Sequence, residues 1–200
     1  CLVGENGAGK STLIKILSGA IRPDEGTIRV FGRSFAGLDP FSARSLGIQT
    51  IYQESNLVDT LSVAENIYLG RQPGRWGLVA LRQMERDAAA LLDALGVPLD
   101  PRAPVGSLSV AQQQMVEVAR ALSTRARILV MDEPTSALTD HEVDLLFALI
   151  RRIKAEGLAV IFISHRLEEV FEIADRITVL RDGKRVASLD ARETSPSAIV

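Results

Sequence analysis

Residues 4–12 read GENGAGKST, which matches the pattern GxxxxGK(S/T) of a phosphate-binding P-loop. The members of this loop are Gly4, Glu5, Asn6, Gly7, Ala8, Gly9, Lys10, Ser11 and Thr12. Gly7 and Gly9 allow backbone conformations and close approaches that a Cβ atom would obstruct. Successive backbone N–H groups and the N-terminus of the following helix can then surround a phosphate group. We expect Lys10 to contact the β- and γ-phosphates and Ser11 to be a ligand of Mg²⁺.

An acidic pair follows a second apolar segment of the chain. Residues 128–131 form an unbroken apolar run, and Asp132 and Glu133 come directly after it. Because adjacent residues of a strand point to opposite sides, one carboxylate can reach Mg²⁺ while the other faces elsewhere. We interpret Asp132 as the metal-holding aspartate of a Walker B motif and Glu133 as the base that activates the attacking water. Together with the P-loop, this pair predicts binding of ATP or GTP.

Strand-like apolar runs alternate with helical periods along most of the chain, which is typical of an α/β domain. We predict one domain with the P-loop NTPase (RecA-like) fold. Residues 1–62 and 125–200 would form its core sheet, and residues 63–124 an all-helical insertion. The sequence begins at Cys1, directly before the P-loop, and ends without a closing turn. We therefore expect a segment of a longer polypeptide, with the N-terminal strands of the fold outside it.

The composition excludes several other kinds of protein. The chain has 200 residues, is 46% hydrophobic and 24% charged, and carries a formal net charge of −2. This balance argues against binding nucleic acid through a strongly basic surface. One cysteine excludes a disulfide framework within this sequence, and the two histidines lack a zinc-binding spacing. The longest apolar run, residues 158–163, is far shorter than the roughly 20 residues of a membrane span, so we expect a soluble domain.

Residues 108–114, LSVAQQQ, lie at the start of a helix shortly before the acidic pair. At this position they resemble the LSGGQ signature of the ABC ATPase family. Gln53, in IYQE, matches the Q-loop glutamine of that family, and His165, in ISHR, matches its switch histidine. Residues 136–139, SALT, match the D-loop, in which Thr139 replaces the usual Asp. The resemblance extends over the whole chain, with the motifs in the family order.

The resemblance implies a set of functional residues, with ATP as substrate and Mg²⁺ as metal. The implied catalytic residues are Glu133, His165, Gln53 and Lys10. The implied metal ligands are Ser11, Gln53 and Asp132. Outside the P-loop, the implied ATP-binding residues are Ser109 and Gln112 of the signature. His165 would contact the γ-phosphate, and Ser109 would cover the ATP bound to an opposite half.

Three segments, residues 4–12, 112–117 and 163–171, resemble the ATPase subunits of simple-sugar importers of the ribose, galactose and xylose type. The resemblance implies the first ATP-binding half of a subunit that powers import of a small solute, a simple sugar, through a membrane permease. The implied partners are permease subunits, a second ATPase half or subunit in a head-to-tail dimer and, indirectly, an extracytoplasmic solute-binding protein. The implied location is peripheral, on the cytoplasmic face of the cell membrane, without a nucleic-acid partner.

The signature differs from the family pattern at two positions. Val110 and Ala111 replace two glycines whose backbone N–H groups, in the family, contact the γ-phosphate of the partner's ATP. Both residues keep an N–H group but add a Cβ atom, so we expect a looser contact. The adenine-stacking aromatic residue of the family lies upstream of the P-loop, outside this sequence.

Three other interpretations stay open. A soluble non-transport ABC ATPase of the translation type shares these motifs, whereas DNA-repair members carry a long coiled coil where this chain has a short helical insertion. The altered signature also suits a regulatory half that binds ATP without hydrolysing it, although Asp132, Glu133 and His165 favour hydrolysis. A small-molecule P-loop kinase would explain the P-loop but neither the signature nor His165.

Overall fold

The fold is described from a computed structural model for residues 1–53, 55–75 and 78–196, with the backbone alone at residue 75. The strands in this part of the chain are β1 (Leu2–Val3), β2 (Ile28–Val30), β3 (Arg33–Phe35), β4 (Ile48–Ile51), β5 (Gly74–Arg75), β6 (Leu78–Val79), β7 (Ile128–Asp132), β8 (Ala159–Ile163), β9 (Arg176–Arg181) and β10 (Lys184–Asp190). The helices are α1 (Lys10–Leu17), α2 (Pro40–Ser45), α3 (Val63–Ile67), α4 (Leu81–Leu95), α5 (Val110–Leu122), α6 (Asp140–Ala155) and α7 (Leu167–Ile173). A 3-10 turn spans Val105–Ser107.

The chain divides into two compact units. The first contains Cys1–Gln53, Ala126–Thr135 and Gly157–Val200, and the second contains Glu54–Arg125 and Ser136–Glu156. Helix α6 belongs to the second unit, where it packs against α4 and α5. The division predicted from the sequence, residues 1–62 with 125–200 and residues 63–124, stays a prediction.

A six-stranded sheet lies at the centre of the first unit, in the order β10-β9-β1-β8-β7-β4. Five of these strands run parallel to one another, and β10 pairs antiparallel with β9. Strands β2 and β3 pair as a separate hairpin. Parallel neighbours need long crossover connections, which here carry the helices. The α/β class predicted from the sequence is confirmed.

Different helices cover the two faces of this sheet. Leu2 and Val3 are adjacent in β1 and therefore point to opposite faces. Leu2 packs in a cluster with Ile14 of α1, whereas Val3 packs in a cluster with Val170 of α7. All four side chains are nearly fully buried. Burial on both faces accounts for the unbroken apolar sequence of β7.

Asp182 and Gly183 lie between two apolar runs, residues 177–180 and 186–189, and this pattern predicts a hairpin. The structure confirms it as β9 and β10, with the turn at Asp182 and Gly183. The unbroken apolar run of residues 158–163 predicts a second buried strand. This strand is β8, but only its residues Phe162 and Ile163 are buried. Strand β1 pairs with β8 where Leu2 lies opposite Ile163. The amino-terminal part of β8 therefore has no neighbouring strand on that side among the described residues.

The second unit is mainly helical. The buried residues of α4 recur at helical spacing and are Met84, Ala88, Leu92 and Leu95. This helix ends at Gly96, whose φ of 68° is the left-handed conformation that glycine adopts at helix ends. A short hairpin of β5 and β6 precedes α4, and its two-residue strands are too short for an alternating pattern to predict. Across the described residues, every helix is too short or too polar to cross a membrane.

A fully buried polar residue, Asn66 of α3, organises the segment before that helix. The two N–H groups of its Nδ2 are shared among the carbonyl oxygens of Val58, Leu61 and Ser62, which lie 3.0, 3.3 and 3.1 Å from the nitrogen. Its Oδ1 accepts a hydrogen bond from the backbone N–H of Val58 at 2.8 Å. Both ends of the amide are therefore satisfied, as burial of a polar side chain requires.

We expect Asn66→Asp to destabilise the second unit at neutral pH. The change keeps the shape but replaces an N–H₂ donor by an oxygen that faces carbonyl oxygens, so folding raises the pKa of the new carboxyl above its unfolded value of about 3.9. Below the pKa that this carboxyl has in the unfolded state, its charge costs no stability. As the pH rises from that value to the higher pKa of the folded state, the free energy of unfolding falls by about 2–4 kcal/mol relative to wild type. Chemical denaturation between pH 4 and pH 8, with hydrogen exchange at the Val58 amide, measures it. Equal stability of variant and wild type at pH 7 would contradict this role of Asn66.

Candidate functional site

The sheet brings four of the predicted motifs to one edge. The P-loop follows β1, and His165 follows β8. Asp132 is the last residue of β7, Glu133 comes directly after it, and Gln53 follows β4. These four strands are neighbours in the order β1-β8-β7-β4, and all are parallel. Their carboxyl ends therefore lie at the same edge, which is where ligands bind in open α/β sheets.

The P-loop wraps around the end of its own lysine. Gly9, with φ of 97°, precedes α1, and within residues 1–53 no side chain caps the N-terminus of that helix. Its first backbone N–H groups are therefore available to an anion. Lys10 is 7% exposed, and its Nζ donates to the carbonyl oxygens of Gly4 at 2.7 Å and Glu5 at 3.1 Å. The ammonium group is thus held inside the loop by two carbonyl oxygens that a phosphate group can replace.

The turn of the β9–β10 hairpin supports the P-loop from outside. The backbone N–H of Gly183 donates to the carbonyl oxygen of Ala8 at 3.2 Å. A Cβ atom at Gly4 would lie 2.4 Å from the carbonyl oxygen of Leu180, so this position has room only for glycine. The sequence predicts the hairpin but not its contact with the loop, because about 175 residues separate the two segments and no spacing rule links them.

The acidic pair combines two different environments. Burial is the main factor that raises the pKa of Asp132, and the negative charge of Glu133 raises it further. The ammonium groups of Lys10 and Lys15 partly oppose this rise. Glu133 has a φ of 47°, an uncommon conformation for a residue with a side chain. Its Oε1 lies 3.3 Å from Nδ1 of His165, whose side chain is 58% exposed. A carboxylate and an imidazole are therefore in contact beside the P-loop strand.

Gln53 is exposed and lies two residues after the end of β4, directly after Tyr52. The hydroxyl of Tyr52 donates to Oγ of Ser18, at the end of α1, with a length of 3.0 Å. This bond connects the P-loop helix to the segment that carries Gln53. The sequence analysis does not predict a role for Tyr52. The only signal in the sequence for this connection is the position of Tyr52 beside Gln53.

The candidate metal ligands supply oxygen atoms only. Ser11 offers a hydroxyl, Gln53 an amide oxygen and Asp132 a carboxylate, and this set suits Mg²⁺, which prefers oxygen and retains water and phosphate ligands. Among the described residues, no group of three or more His, Cys, Asp or Glu side chains is arranged to hold a metal ion. A set of oxygen donors of this kind fits a magnesium ion whose remaining ligands are water and phosphate.

Ser109 and Gln112, the other predicted ATP-binding residues, lie in the second unit. They form a capping box at the start of α5, in which Oγ of Ser109 accepts from the N–H of Gln112 at 3.3 Å and Oε1 of Gln112 accepts from the N–H of Ser109 at 3.0 Å. The Ser109 hydroxyl also lies 3.4 Å from Oε1 of Glu142. Of the two residues that replace glycines, Val110 is exposed and Ala111 is buried.

Glu142 belongs to a second capping box, at the start of α6, which the spacing of Thr139 and Glu142 in the sequence predicts. Its Oε2 accepts from both the backbone N–H and the hydroxyl of Thr139, at 3.0 Å each. These bonds lower the pKa of Glu142. The D-loop threonine and the signature serine therefore share one carboxylate.

Comparison with known proteins gives consistent results. The family model described as ABC transporter matches residues 1–136. Ribose import ATP-binding protein RbsA 1 of Rubrobacter xylanophilus is 60% identical over 190 residues, which are 95% of this chain and 38% of that protein. The chain thus spans 38% of the length of this curated relative.

Solved structures agree with this result. An ATP-binding cassette of an ABC transporter in its ADP conformation is similar with a TM-score of 0.82 and 28% identity, over 94% of this chain and 78% of that one. A dimeric ATP-binding cassette in a post-hydrolysis state, bound to ADP and Pi, is similar with a TM-score of 0.78 and 25% identity, over 96% and 85% of the two chains. The predicted P-loop NTPase fold is confirmed.

We expect Lys10→Met to weaken ATP binding about 10- to 100-fold, because a hydrogen bond to a charged group contributes about 1.5–3 kcal/mol. Lys15→Met is the matched control, since Lys15 is exposed in the last turn of the same helix. Isothermal titration of the full-length protein with ATP measures both. A loss of affinity in Lys15→Met equal to that in Lys10→Met would contradict a specific role for the buried ammonium group.

Proposed function

Because this chain belongs to the ABC transporter family, as its motifs predict, we propose that it is the ATP-binding and ATP-hydrolysing part of a subunit that powers import of a small solute through a membrane permease. The observation that carries hydrolysis is the contact of 3.3 Å between Glu133 and His165 at the sheet edge that also holds the P-loop. Import of a simple sugar is supported by the name of the ribose import relative.

The P-loop would bind the phosphates of ATP. Backbone N–H groups at the start of α1 would surround the β- and γ-phosphates, with Lys10 exchanging the carbonyl oxygens of Gly4 and Glu5 for phosphate oxygens. Ser11, Asp132 and Gln53 would hold Mg²⁺, which when bound neutralises phosphate charge. The remaining P-loop residues shape the loop that carries these N–H groups.

Glu133 would take the proton of the attacking water. The water oxygen attacks the γ-phosphorus, the bond from that phosphorus to the β–γ bridging oxygen breaks, and ADP and phosphate result. The carboxylate of Glu133 is largely shielded, whereas His165 is more exposed and can face the γ-phosphate while it contacts Glu133. Catalysis of this kind depends mainly on positioning and on stabilisation of charge.

A second ATPase half would complete the site. In a head-to-tail dimer, Ser109, Gln112 and the backbone N–H groups of Val110 and Ala111 would cover the ATP of the opposite half. The similar dimeric cassette with bound ADP and Pi supports this arrangement. The Ser109 hydroxyl, which faces Glu142 here, would turn to the phosphate when the two halves close.

The further partners follow from the same proposal. Closure of the dimer would be transmitted to permease subunits in the membrane, and an extracytoplasmic solute-binding protein would deliver the solute to them. The chain would lie on the cytoplasmic face of the cell membrane, as a peripheral component. The balanced net charge of −2 gives no support to a nucleic-acid partner.

We expect Glu133→Gln to keep ATP binding and to lower ATP hydrolysis on the order of 100-fold or more, because an amide cannot accept the proton of water. Glu168→Gln is the control, since Glu168 is exposed two residues beyond Arg166 and outside the site. Phosphate release by the full-length protein, with and without its permease, measures the effect. Full turnover by Glu133→Gln would overturn the assignment, and hydrolysis that the permease does not stimulate would favour a non-transport ATPase.

A further inference from the structure

Three buried polar side chains are joined by hydrogen bonds, and two of them lie close in sequence to Glu133 and His165. Thr135, Ser164 and Glu169 are only 3%, 2% and 4% exposed. The hydroxyl groups of Thr135 and Ser164 both donate to Oε2 of Glu169, each at 2.7 Å. One carboxylate oxygen thus joins two segments that are distant in sequence. The function proposed above assigns no role to these residues.

The two joined segments are the ones that carry Glu133 and His165. Thr135 is two residues after Glu133, and Ser164 directly precedes His165. Closer to the strands, the backbone N–H of Glu133 donates to the carbonyl oxygen of Ile163 at 3.0 Å. The strands end there, and beyond them the hydrogen bonds to Glu169 connect the two segments in addition to the contact of Glu133 with His165.

The backbone of Glu133 needs such support. Its φ of 47° is a left-handed conformation that is unfavourable for a residue with a Cβ atom, so the surrounding structure must maintain it. Thr135 fixes the chain directly after this residue. A displacement of about 1 Å at a catalytic group can lower a rate about 100-fold.

The ion pair of Glu169 reduces the cost of burying its charge. Nη1 of Arg166 lies 2.7 Å from Oε1, although not in a hydrogen-bonding orientation, and the Arg166 side chain is 41% exposed. The backbone N–H of Arg166 donates to Oγ of Ser164 at 3.0 Å. An apolar side chain at position 169 would fill the same space but could not orient either hydroxyl group.

We propose that Glu169 is a positioning residue for ATP hydrolysis. Its buried carboxylate holds the segment after Glu133 and the segment that carries His165 together, and thereby maintains the contact between these two side chains. The proposal rests on the proposed function, in which Glu133 and His165 act on the γ-phosphate. Glu169 itself does not touch the reacting atoms.

The first test compares two substitutions of Glu169 in the full-length protein. Glu169→Ala removes both hydrogen bonds and should lower kcat about 10- to 100-fold while the Kd for ATP stays within about two-fold. Glu169→Gln keeps one oxygen that accepts from both hydroxyl groups, and Arg166 can turn to solvent, so kcat should stay within about three-fold of wild type. Glu168→Ala, at the exposed neighbouring position, should leave both constants unchanged.

A second pair of variants keeps the carboxylate and tests the connection from each end. Thr135→Val and Ser164→Ala each remove one hydroxyl group, and each should lower kcat about 3- to 10-fold without changing the Kd for ATP. The double variant should lose less than the product of the two single effects, because one connection is already broken in each. If Glu169→Ala does not fold, these variants still test the proposal: unchanged kcat in both of them would contradict it.

The outcomes separate this proposal from the function on which it rests. A drop in melting temperature with unchanged kcat, or a Glu169→Gln variant as slow as Glu169→Ala, would show a structural role only and overturn the proposal. Glu133→Gln and His165→Ala are the controls for these comparisons, and each should hydrolyse ATP no faster than the background rate. If those two variants stay active, the proposed catalytic site itself is wrong.

Discussion

Parallel hydrogen bonding between β1, β8, β7 and β4 is the constraint on which the rest of the site depends. The register places Leu2 and Asp132 on either side of Ile163, and Ile51 beside Met131. Each motif begins where its strand ends, so pairing of the strands sets the distance between motifs that are far apart in sequence. A slip of one residue would turn Asp132 to the other face of the sheet and remove it from the P-loop lysine.

Beyond the strand ends, the site depends on a small number of polar contacts. Carbonyl oxygens hold the Lys10 ammonium, the Tyr52 hydroxyl connects the segment of Gln53 to α1, and Glu169 connects the segments of Glu133 and His165. Loops are ordinarily the mobile parts of a fold. Here buried and partly buried hydrogen bonds restrict the loops, and catalysis by positioning requires such restriction. The proposed metal ligands are all oxygen donors, which suits a magnesium ion bound to nucleotide phosphates.

The sequence predicts the elements whose information is local. The P-loop, the acidic pair after an apolar strand, and helix α4 ending at Gly96 each follow from spacing or from periodicity, and the structure contains all three. The contacts of Gly4 with Leu180 and of Glu169 with its two hydroxyl partners follow no local rule. They join residues that only the folded sheet makes neighbours. A glutamate beside Val170 in a short helix is ordinarily read as an exposed residue, so its burial is unexpected.

The most direct test of this arrangement is an experimental structure of the full-length Glu133→Gln variant with Mg²⁺ and ATP. We expect the phosphates in the P-loop, with Nζ of Lys10 moved from the carbonyl oxygens of Gly4 and Glu5 to phosphate oxygens. Mg²⁺ should lie among Ser11, Gln53 and Asp132. ATP bound away from the carboxyl edge of β1, β8, β7 and β4, or a Lys10 side chain still bonded to its own loop beside bound ATP, would contradict the account.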